Sequence, residues 1–301
     1  MKVTFWGTRG SIPTPGKYTV KYGGNTPCVE VRSDDGRLLI IDAGTGICEL
    51  GTQLAKSGEA IDTHILISHT HWDHIHGFPF FAPAFMPNNR FTICGPVNFD
   101  EKLETIMSRQ MEYAYFPVKL ADMHSHRQFV ELKEGTFNVD DCFEVKAQYV
   151  NHPILTLAYR ITCDGKTLVY CSDHEPFFNQ FSSGNSGDVL DEQEEGLDEY
   201  IKQMNNRVIN LCKDANLIIY DSQYLDDEYQ THRGWGHSTF NDACRGAISS
   251  GGERLAFFHH DPARKDANLE EIVNNIIAEY KKNHKDLPDF FAAQEELSIK
   301  L

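Results

Sequence analysis

One short segment limits what this chain can fold into more than any other. Residues 69–74 read HTHWDH and place three histidines and one aspartate within six residues. They follow HILIS, an apolar run typical of a buried strand. These four side chains cannot all reach one ion, and imidazole and carboxylate together suit divalent metals such as zinc. The segment therefore predicts a pair of metal ions at the carboxyl end of a strand.

The rest of the chain alternates short apolar runs with helical patterns, without a repeat, a low-complexity tract or a linker. This order predicts one sandwich-like α/β domain over residues 1–301. Residues 175–195 are rich in Ser, Gly, Asp and Glu and are predicted to form a mobile acidic surface loop. Helices are predicted over roughly residues 47–56, 99–113, 197–212, 239–249 and 268–282. Strands are predicted at VTFWG, CVEVRS, RLLIIDAG, THILISH, FTICGP, FVELKEG, FNVDDCFEVKAQYV, LTLAYRITCDG, KTLVYCSD, ANLIIYDSQY and RLAFFHH.

Charge and cysteine content narrow the classes of function and location. The formal net charge is −16, which argues against a broad nucleic-acid footprint, because duplex or tRNA binding normally needs a basic face. The eight cysteines form no C-x-x-C pair and mostly lie in apolar runs, so we expect reduced, buried thiols. The amino terminus lacks a secretory apolar segment, and no window approaches 18 consecutive apolar residues. A cytoplasmic protein without a membrane span is expected.

A second histidine of interest lies in GWGHSTFNDA, where a glycine-rich turn leads into a predicted helix. Ser238 and Thr239 are residue types that cap helix starts. The free N–H groups of a helix start favour a bound anion. His237 is therefore a candidate for contact with an anionic substrate, with a capping or packing role as the alternative.

The run HTHWDH resembles the H-x-H-x-D-H signature of the metallo-β-lactamase superfamily. Further runs, GTRGSIP, YGGNTP and IIDAGTG, resemble the ribonuclease Z-like phosphodiesterase branch, and the matches extend from about residue 4 to residue 261. The resemblance implies an αββα four-layer sandwich, with two mixed β-sheets flanked by helices and a dinuclear site at one edge.

Carried over residue by residue, the resemblance also implies a ligand set. His152 follows the predicted strand KAQYVN, Asp173 lies in VYCSDHEP, and His259 lies in LAFFHHDP. His259 and His260 are adjacent and face opposite ways in a strand, so one of them is expected to be a ligand; the family pattern favours His259. The implied set is His69, His71 and His152 for the first metal, Asp73, His74 and His259 for the second, and Asp173 bridging both.

The resemblance therefore implies an enzyme, a dinuclear metal-dependent phosphodiesterase. Two ions would share a hydroxide as the nucleophile, with Asp73 orienting it and His237 protonating the leaving oxygen. Zinc is the expected metal, with manganese and iron(II) as alternatives.

The prediction of the substrate rests on the distribution of basic residues. No Lys/Arg-rich arm occurs between residue 74 and residue 173, so a small phosphodiester, a cyclic nucleotide first, is favoured over RNA. The alternatives are an RNA-processing endonuclease of ribonuclease Z type and a lactam, lactone or thioester hydrolase. Extensive nucleic-acid binding and a membrane partner are not expected, and the resemblance suggests a homodimer.

Overall fold

The strands of the protein form two seven-stranded mixed sheets. The computed structural model describes residues 1–179, 192–284 and 286–301. The first sheet has the order β14-β1-β2-β3-β4-β5-β6 and the second the order β13-β12-β11-β10-β9-β8-β7. The strands are β1 (Lys2–Gly7), β2 (Cys28–Arg32), β3 (Leu38–Ile41), β4 (Asp62–Leu66), β5 (Arg90–Pro96), β6 (His126–Leu132), β7 (Gly135–Val139), β8 (Phe143–Val150), β9 (Thr156–Cys163), β10 (Lys166–Cys171), β11 (Leu217–Asp221), β12 (Arg254–Phe258), β13 (Asp289–Ala292) and β14 (Ser298–Lys300).

Helices cover the outer face of each sheet. They are α1 (Gly46–Ser57), α2 (Trp72–Ile75), α3 (Leu103–Arg109), α4 (Glu192–Cys212), α5 (Asp226–Tyr229), α6 (Phe240–Ser250) and α7 (Asp266–Asn283), with 3₁₀ turns at Phe78–Phe80, Ala82–Phe85 and Leu120–Asp122. Among the described residues, no helix combines the length and the apolar character needed to cross a membrane.

Three apolar clusters hold these layers together. Side chains such as Phe5, Tyr159 and Phe258 fill the space between the two sheets. A second cluster joins the outer face of the first sheet to α1 and α3, and a third joins the second sheet to α4, α6 and α7. Strands such as β3 and β11 are buried at every residue because both of their faces are covered. The predicted sandwich of two mixed sheets flanked by helices is therefore confirmed.

Three predicted elements differ from the structure. The segment FNVDDCFEVKAQYV, predicted as one strand, contains the end of β7 and all of β8, which pair antiparallel because the chain turns back at Asp140 and Asp141, both with positive φ. The helix predicted over residues 99–113 is limited to α3, in which Leu103 and Met107 are buried. Phe99 and Tyr113, at the two ends of the predicted helix, are exposed, so neither end is held by packing against the core.

The acidic loop predicted over residues 175–195 is also partly wrong. Glu175 is only 1% exposed and belongs to the protein interior. At the other end, α4 begins at Glu192 and not near residue 197. Residues 180–191 of the predicted loop lie outside the described residues.

A buried arginine fixes the loop that joins β1 to β2. Arg9 is 0% exposed, and its guanidinium donates to the carbonyls of Gly23, at 2.8 Å, and Arg264, at 2.8 Å. It therefore ties this loop to the segment that follows β12. The same loop brings the N–H of Ser11 to within 2.8 Å of Asp73 Oδ2.

Candidate metal centre

The candidate ligands come from loops of both sheets and meet at one edge of the sandwich. After β4, the chain carries His69 and His71 and then turns into α2, which supplies Asp73 and His74. The second sheet supplies three more residues, each just after a strand: His152 after β8, Asp173 after β10 and His259 after β12. β10, β11 and β12 are parallel, and β8 runs in the same direction because the antiparallel β9 separates it from β10, so the carboxyl ends of all these strands lie at the same sheet edge.

One group of donors consists of His69, His71, His152 and Asp173, whose ligand atoms all lie within 4.8 Å of one another. The Nδ1 atom of His71 lies 3.0 Å from His69 Nε2 and 3.0 Å from His152 Nε2. Asp173 Oδ2 lies 3.6 Å from His69 Nε2. Three imidazoles and one carboxylate oxygen thus surround one point.

A second group, Asp73, His74, Asp173 and His259, meets the same 4.8 Å limit. His74 Nε2 lies 3.3 Å from Asp73 Oδ2 and 3.3 Å from Asp173 Oδ2. His259 Nε2 lies 3.1 Å from Asp73 Oδ2 and 3.2 Å from Asp173 Oδ1. Asp173 belongs to both groups, as a bridging ligand must.

The donor chemistry fits divalent cations. His74 Nε2 is buried and has no hydrogen-bond partner although two carboxylates lie near it, and an unpartnered buried nitrogen of this kind is costly unless it binds something. Burial lowers the pKa of His152 to about 3 and also lowers that of His69, which keeps both imidazoles neutral. Neutral imidazole is the form that binds metal.

Asp42 orients the loop that carries these histidines. It is fully buried with φ of +60°, and Oδ2 contacts His74 Nδ1 at 2.8 Å. The same carboxylate accepts from the N–H of Ser68 at 2.7 Å and from the hydroxyl of Tyr170, in the second sheet, at 2.6 Å. Because one nitrogen of His74 is held by Asp42, the other faces the metal centre.

The histidines from the second sheet have partners of the same kind. His152 Nδ1 lies 2.9 Å from the carbonyl of Gly236, and His259 Nδ1 lies 2.8 Å from Gln223 Oε1. A Cβ atom at Gly236 would lie 2.2 Å from His152 Nδ1, and one at Gly10 would lie 2.4 Å from His259 Nδ1. Glycine is required at both positions because the backbone passes so close to the ligand rings.

His237 lies beside both groups. Its ring centroid is 4.8 Å from that of His259 and 5.4 Å from that of His152. Its Nδ1 contacts Asp221 Oδ2 at 2.7 Å. Burial, the largest single effect, would lower the pKa of His237, but the carboxylates of Asp221, Asp173 and Asp73 together raise that pKa to about 9. The helix start predicted here is α6, whose N-cap is Thr239 with Asp242 completing a capping box.

One candidate ligand lies outside the donor groups, and three residues of the site were not predicted from the sequence. His260 Nε2 donates to the carbonyl of Ala293 at 2.9 Å and takes no part in either group. Asp221, Gln223 and Glu175 were missed as site residues. Asp221 had a signal in the sequence, since it ends the apolar run LIIYD as Asp42 ends LLIID; Gln223 and Glu175 had none.

Comparisons with known proteins identify the fold that carries this site. The model of the β-lactamase superfamily domain matches residues 37–183. Ribonuclease Z of Staphylococcus aureus is 22% identical over 331 aligned positions, which cover 100% of both chains. The metallo-β-lactamase fold protein YhfI from Bacillus subtilis superposes with a TM-score of 0.66 at 18% identity, covering 99% of this chain and 98% of that one.

A further solved structure, described as a new diphosphatase from the PhnP family, gives a TM-score of 0.61 at 15% identity, covering 100% of this chain and 97% of that one. These likenesses establish the fold, and the fold, together with the His/Asp cluster, implies divalent metal ions. The chain therefore has the metallo-β-lactamase fold, its residues 37–183 match the β-lactamase superfamily domain, and its sequence is similar to ribonuclease Z along the whole length.

Proposed function

We propose that the protein is a metal-dependent phosphodiesterase that hydrolyses a small phosphodiester, with a cyclic nucleotide as the favoured substrate. The observation that carries the proposal is the pair of donor groups sharing Asp173, with His237 beside both. Such a pair suits in-line displacement at phosphorus, in which the attacking and leaving oxygens both need stabilisation.

We assign the first cation to His69, His71 and His152, the second to Asp73, His74 and His259, and the bridging position to Asp173. When bound, two such cations supply an ionised water at neutral pH and neutralise charge that develops on the phosphoryl oxygens. Nitrogen and carboxylate ligands suit zinc first and manganese or iron(II) as alternatives.

The side chains then have separate tasks. Asp221 holds Nδ1 of His237, so Nε2 carries the proton that can pass to the departing alkoxide. Asp73 accepts the N–H of Ser11 through Oδ2 at 2.8 Å, which fixes its carboxylate at the second donor group. From there, Asp73 is proposed to orient the attacking water.

Charge supports a small substrate over a long one. The net charge of −16 opposes approach of a polyanion, and no basic arm occurs between the histidine cluster and Asp173. The solved structure of a diphosphatase from the PhnP family has the same fold, which supports a phosphate ester as substrate. The sequence relation to ribonuclease Z over the whole chain favours an RNA endonuclease as the second candidate.

The proposal extends to location and assembly. The eight thiols, none of which is paired as a disulfide among the described residues, fit a reducing cytoplasm. The homodimer is proposed from family resemblance alone.

A substrate panel tests the function. The protein loaded with Zn²⁺ or Mn²⁺ is expected to turn over bis(p-nitrophenyl) phosphate and to stop when a chelator is added. Among natural substrates, 2′,3′- and 3′,5′-cyclic nucleotides are expected to react faster than a tRNA precursor. Cleavage of the precursor alone would establish the RNA endonuclease. Activity confined to a lactam, lactone or thioester would remove the phosphodiesterase assignment altogether.

A further inference from the structure

The loop between α5 and α6 carries a large aromatic side chain, Trp235, one residue before Gly236, whose carbonyl contacts His152. Trp235 is 60% exposed, although its neighbours in sequence, Gly236 and His237, are buried and contact the centre. More than half of the indole surface is therefore accessible to a ligand.

A buried carboxylate holds this loop in place. Glu175 is 1% exposed, and its Oε1 accepts from the hydroxyl of Tyr229 at 2.6 Å and from the N–H of Gly234 at 2.8 Å. Its Oε2 accepts from the N–H of Gly236 at 2.9 Å. Two donors from the loop and one from the end of α5 thus converge on one side chain, and the two loop donors, Gly234 and Gly236, flank Trp235 in the sequence.

The same residue connects the loop to the metal centre. The N–H of Glu175 donates to the carbonyl of Asn151 at 2.9 Å, and Asn151 precedes His152. The carbonyl of Gly236 in turn lies 2.9 Å from His152 Nδ1. Glu175 lies two residues after Asp173. One short segment therefore supplies a residue to the donor groups and the carboxylate that binds the loop.

Aromatic contacts fix the indole itself. The ring of Trp235 stands edge-on to His232, with centroids 4.7 Å apart and an interplanar angle of 83°. His232 is stacked on Tyr224 at 4.6 Å, and Tyr224 lies 6.0 Å from His237. The indole is therefore held in position from one side while most of its surface stays exposed.

A preformed aromatic surface of this kind binds planar rings at small entropic cost, because the side chain is already ordered. We propose that Trp235 is the surface on which a nucleobase of the substrate stacks, and that Glu175 is the positioning residue that holds Trp235 and His237 in one fixed loop. This inference rests on the proposed function and narrows its substrate class to nucleotide diesters.

Trp72 is the alternative candidate for the residue on which the nucleobase stacks. It lies between the candidate ligands His71 and Asp73 and is 81% exposed. In the part of the chain that the structure describes, no ring contact holds its side chain, whereas Trp235 has one. A substitution at each tryptophan separates the two.

Binding of AMP and of ribose 5-phosphate to the metal-loaded protein, measured by calorimetry, tests the stacking role without requiring turnover. The two ligands differ by the base, and base–aromatic stacking is expected to give AMP an advantage of about tenfold in Kd. Trp235→Ala should remove this advantage, Trp235→Phe should retain most of it, and Tyr200→Ala, at an exposed aromatic residue of α4, should leave it unchanged. An advantage retained in Trp235→Ala, or lost instead in Trp72→Ala, overturns the proposal.

Glu175→Gln tests the positioning role, because an amide group would face a backbone N–H that now donates to a carboxylate. The expected result is a reduced AMP advantage and a lower kcat for a cyclic nucleotide, with full metal content. Tyr229→Phe removes one of the three donors and should cause a smaller change in the same direction. Unchanged AMP preference in Glu175→Gln at full metal content would refute the role.

The outcomes distinguish this inference from the proposed function. If AMP binds with the predicted advantage but no cyclic nucleotide is hydrolysed, the base subsite stands and the phosphodiesterase proposal fails. If cyclic diesters are hydrolysed equally well with and without a base, the phosphodiesterase proposal stands and the role of Trp235 fails.

Discussion

At the level of single residues, the pairing of His237 with Asp221 decides which ring nitrogen can exchange a proton with a substrate. Asp221 is fully buried, and its Oδ2 lies 2.7 Å from His237 Nδ1, within hydrogen-bond distance. The carboxylates of Asp221, Asp173 and Asp73 together raise the pKa of His237 to about 9, against the effect of burial. Of these three carboxylates, Asp221 contributes most and lies outside the ligand set assigned to the cations.

Asp221→Asn is therefore expected to change the pH dependence of the reaction. Losing the carboxylate lowers the pKa of His237, and a proton-donating imidazole loses activity as the pH rises through its pKa, so the alkaline limb of kcat should move to lower pH by about one unit or more. The measurement is the pH–rate profile with a cyclic nucleotide, whose alkoxide leaving group needs a proton.

A p-nitrophenyl diester serves as the control, because its leaving group needs little protonation and its profile should shift less. His237→Ala should lower kcat for the cyclic nucleotide by a factor of about 10² to 10⁴ and leave metal content unchanged. Loss of metal in His237→Ala would identify His237 as a ligand, and a shift of the alkaline limb to higher pH in Asp221→Asn would exclude this assignment of the proton donor.

The residues that are close in sequence were the easiest to predict. HTHWDH brought four candidates to one loop, and the structure places His69, His71, Asp73 and His74 in the two donor groups. The choice between His259 and His260 could not follow from strand alternation, since β12 ends at Phe258 and His259 has a φ of +59°. A left-handed turn of this kind depends on tertiary contacts, here with Gln223 and Asp73.

At the level of elements, the loops after the strands need glycines in order to approach the ligand rings. Gly10, in the loop between β1 and β2, lies against the ring of His259. Gly16, in the same loop, has open space around the position of a Cβ atom. The two positions therefore form a matched pair.

Gly10→Ala is expected to displace His259 and to weaken the second cation site, since the added methyl group would lie 2.4 Å from His259 Nδ1. Metal analysis after dialysis should give close to one ion per chain, compared with two in the unchanged protein, with activity reduced at least tenfold. Gly16→Ala should keep both ions and full activity. Equal metal content in the two variants would show that His259 is not held as described.

Strands were predicted better than the segments between them. Alternating or continuous apolar runs mark β1 to β5 and β8 to β12, because burial of these side chains is what makes them strands. Glu175 could not be anticipated as an interior residue, because its partners, Tyr229, Gly234 and Gly236, lie more than 50 residues away in the sequence.

At the level of the whole molecule, the excess of acidic residues acts on every charged substrate. Lys and Arg total 28 against 44 Asp and Glu, which gives the net charge of −16. The long-range field of the protein therefore repels anions unless salt screens it.

The ionic-strength dependence of kcat/KM should reflect this field. For a cyclic nucleotide, raising KCl from about 50 to 300 mM is expected to increase kcat/KM by up to a few-fold, because screening weakens the repulsion. An enzyme that binds an RNA backbone through basic residues shows a steep decrease instead. Melting temperatures at the same salt concentrations control for changes in stability, and a steep fall in kcat/KM would contradict the small-substrate assignment.

The overall architecture followed from the sequence only through family resemblance. Composition and periodicity indicate a sandwich-like α/β chain, but they cannot specify that β14 pairs with β1 and β13 with β12, pairings that join the carboxyl terminus to both sheets. Neither edge strand has a distinctive pattern, and each is fixed by contacts with a distant partner. The family resemblance of HTHWDH, IIDAGTG and GTRGSIP implied the sandwich of two mixed sheets, which the local patterns alone do not specify.

The division of the ligands between the two sheets has a consequence for cohesion. Each donor group contains residues that follow β4 of the first sheet and residues that follow strands of the second. A cation in either group would thus act as a cross-link between the layers, in addition to the apolar side chains packed there. Loss of the cations would then loosen the contact between the two sheets at this edge. A change in the length of a ligand-bearing loop of one sheet would also weaken the attachment of the other sheet.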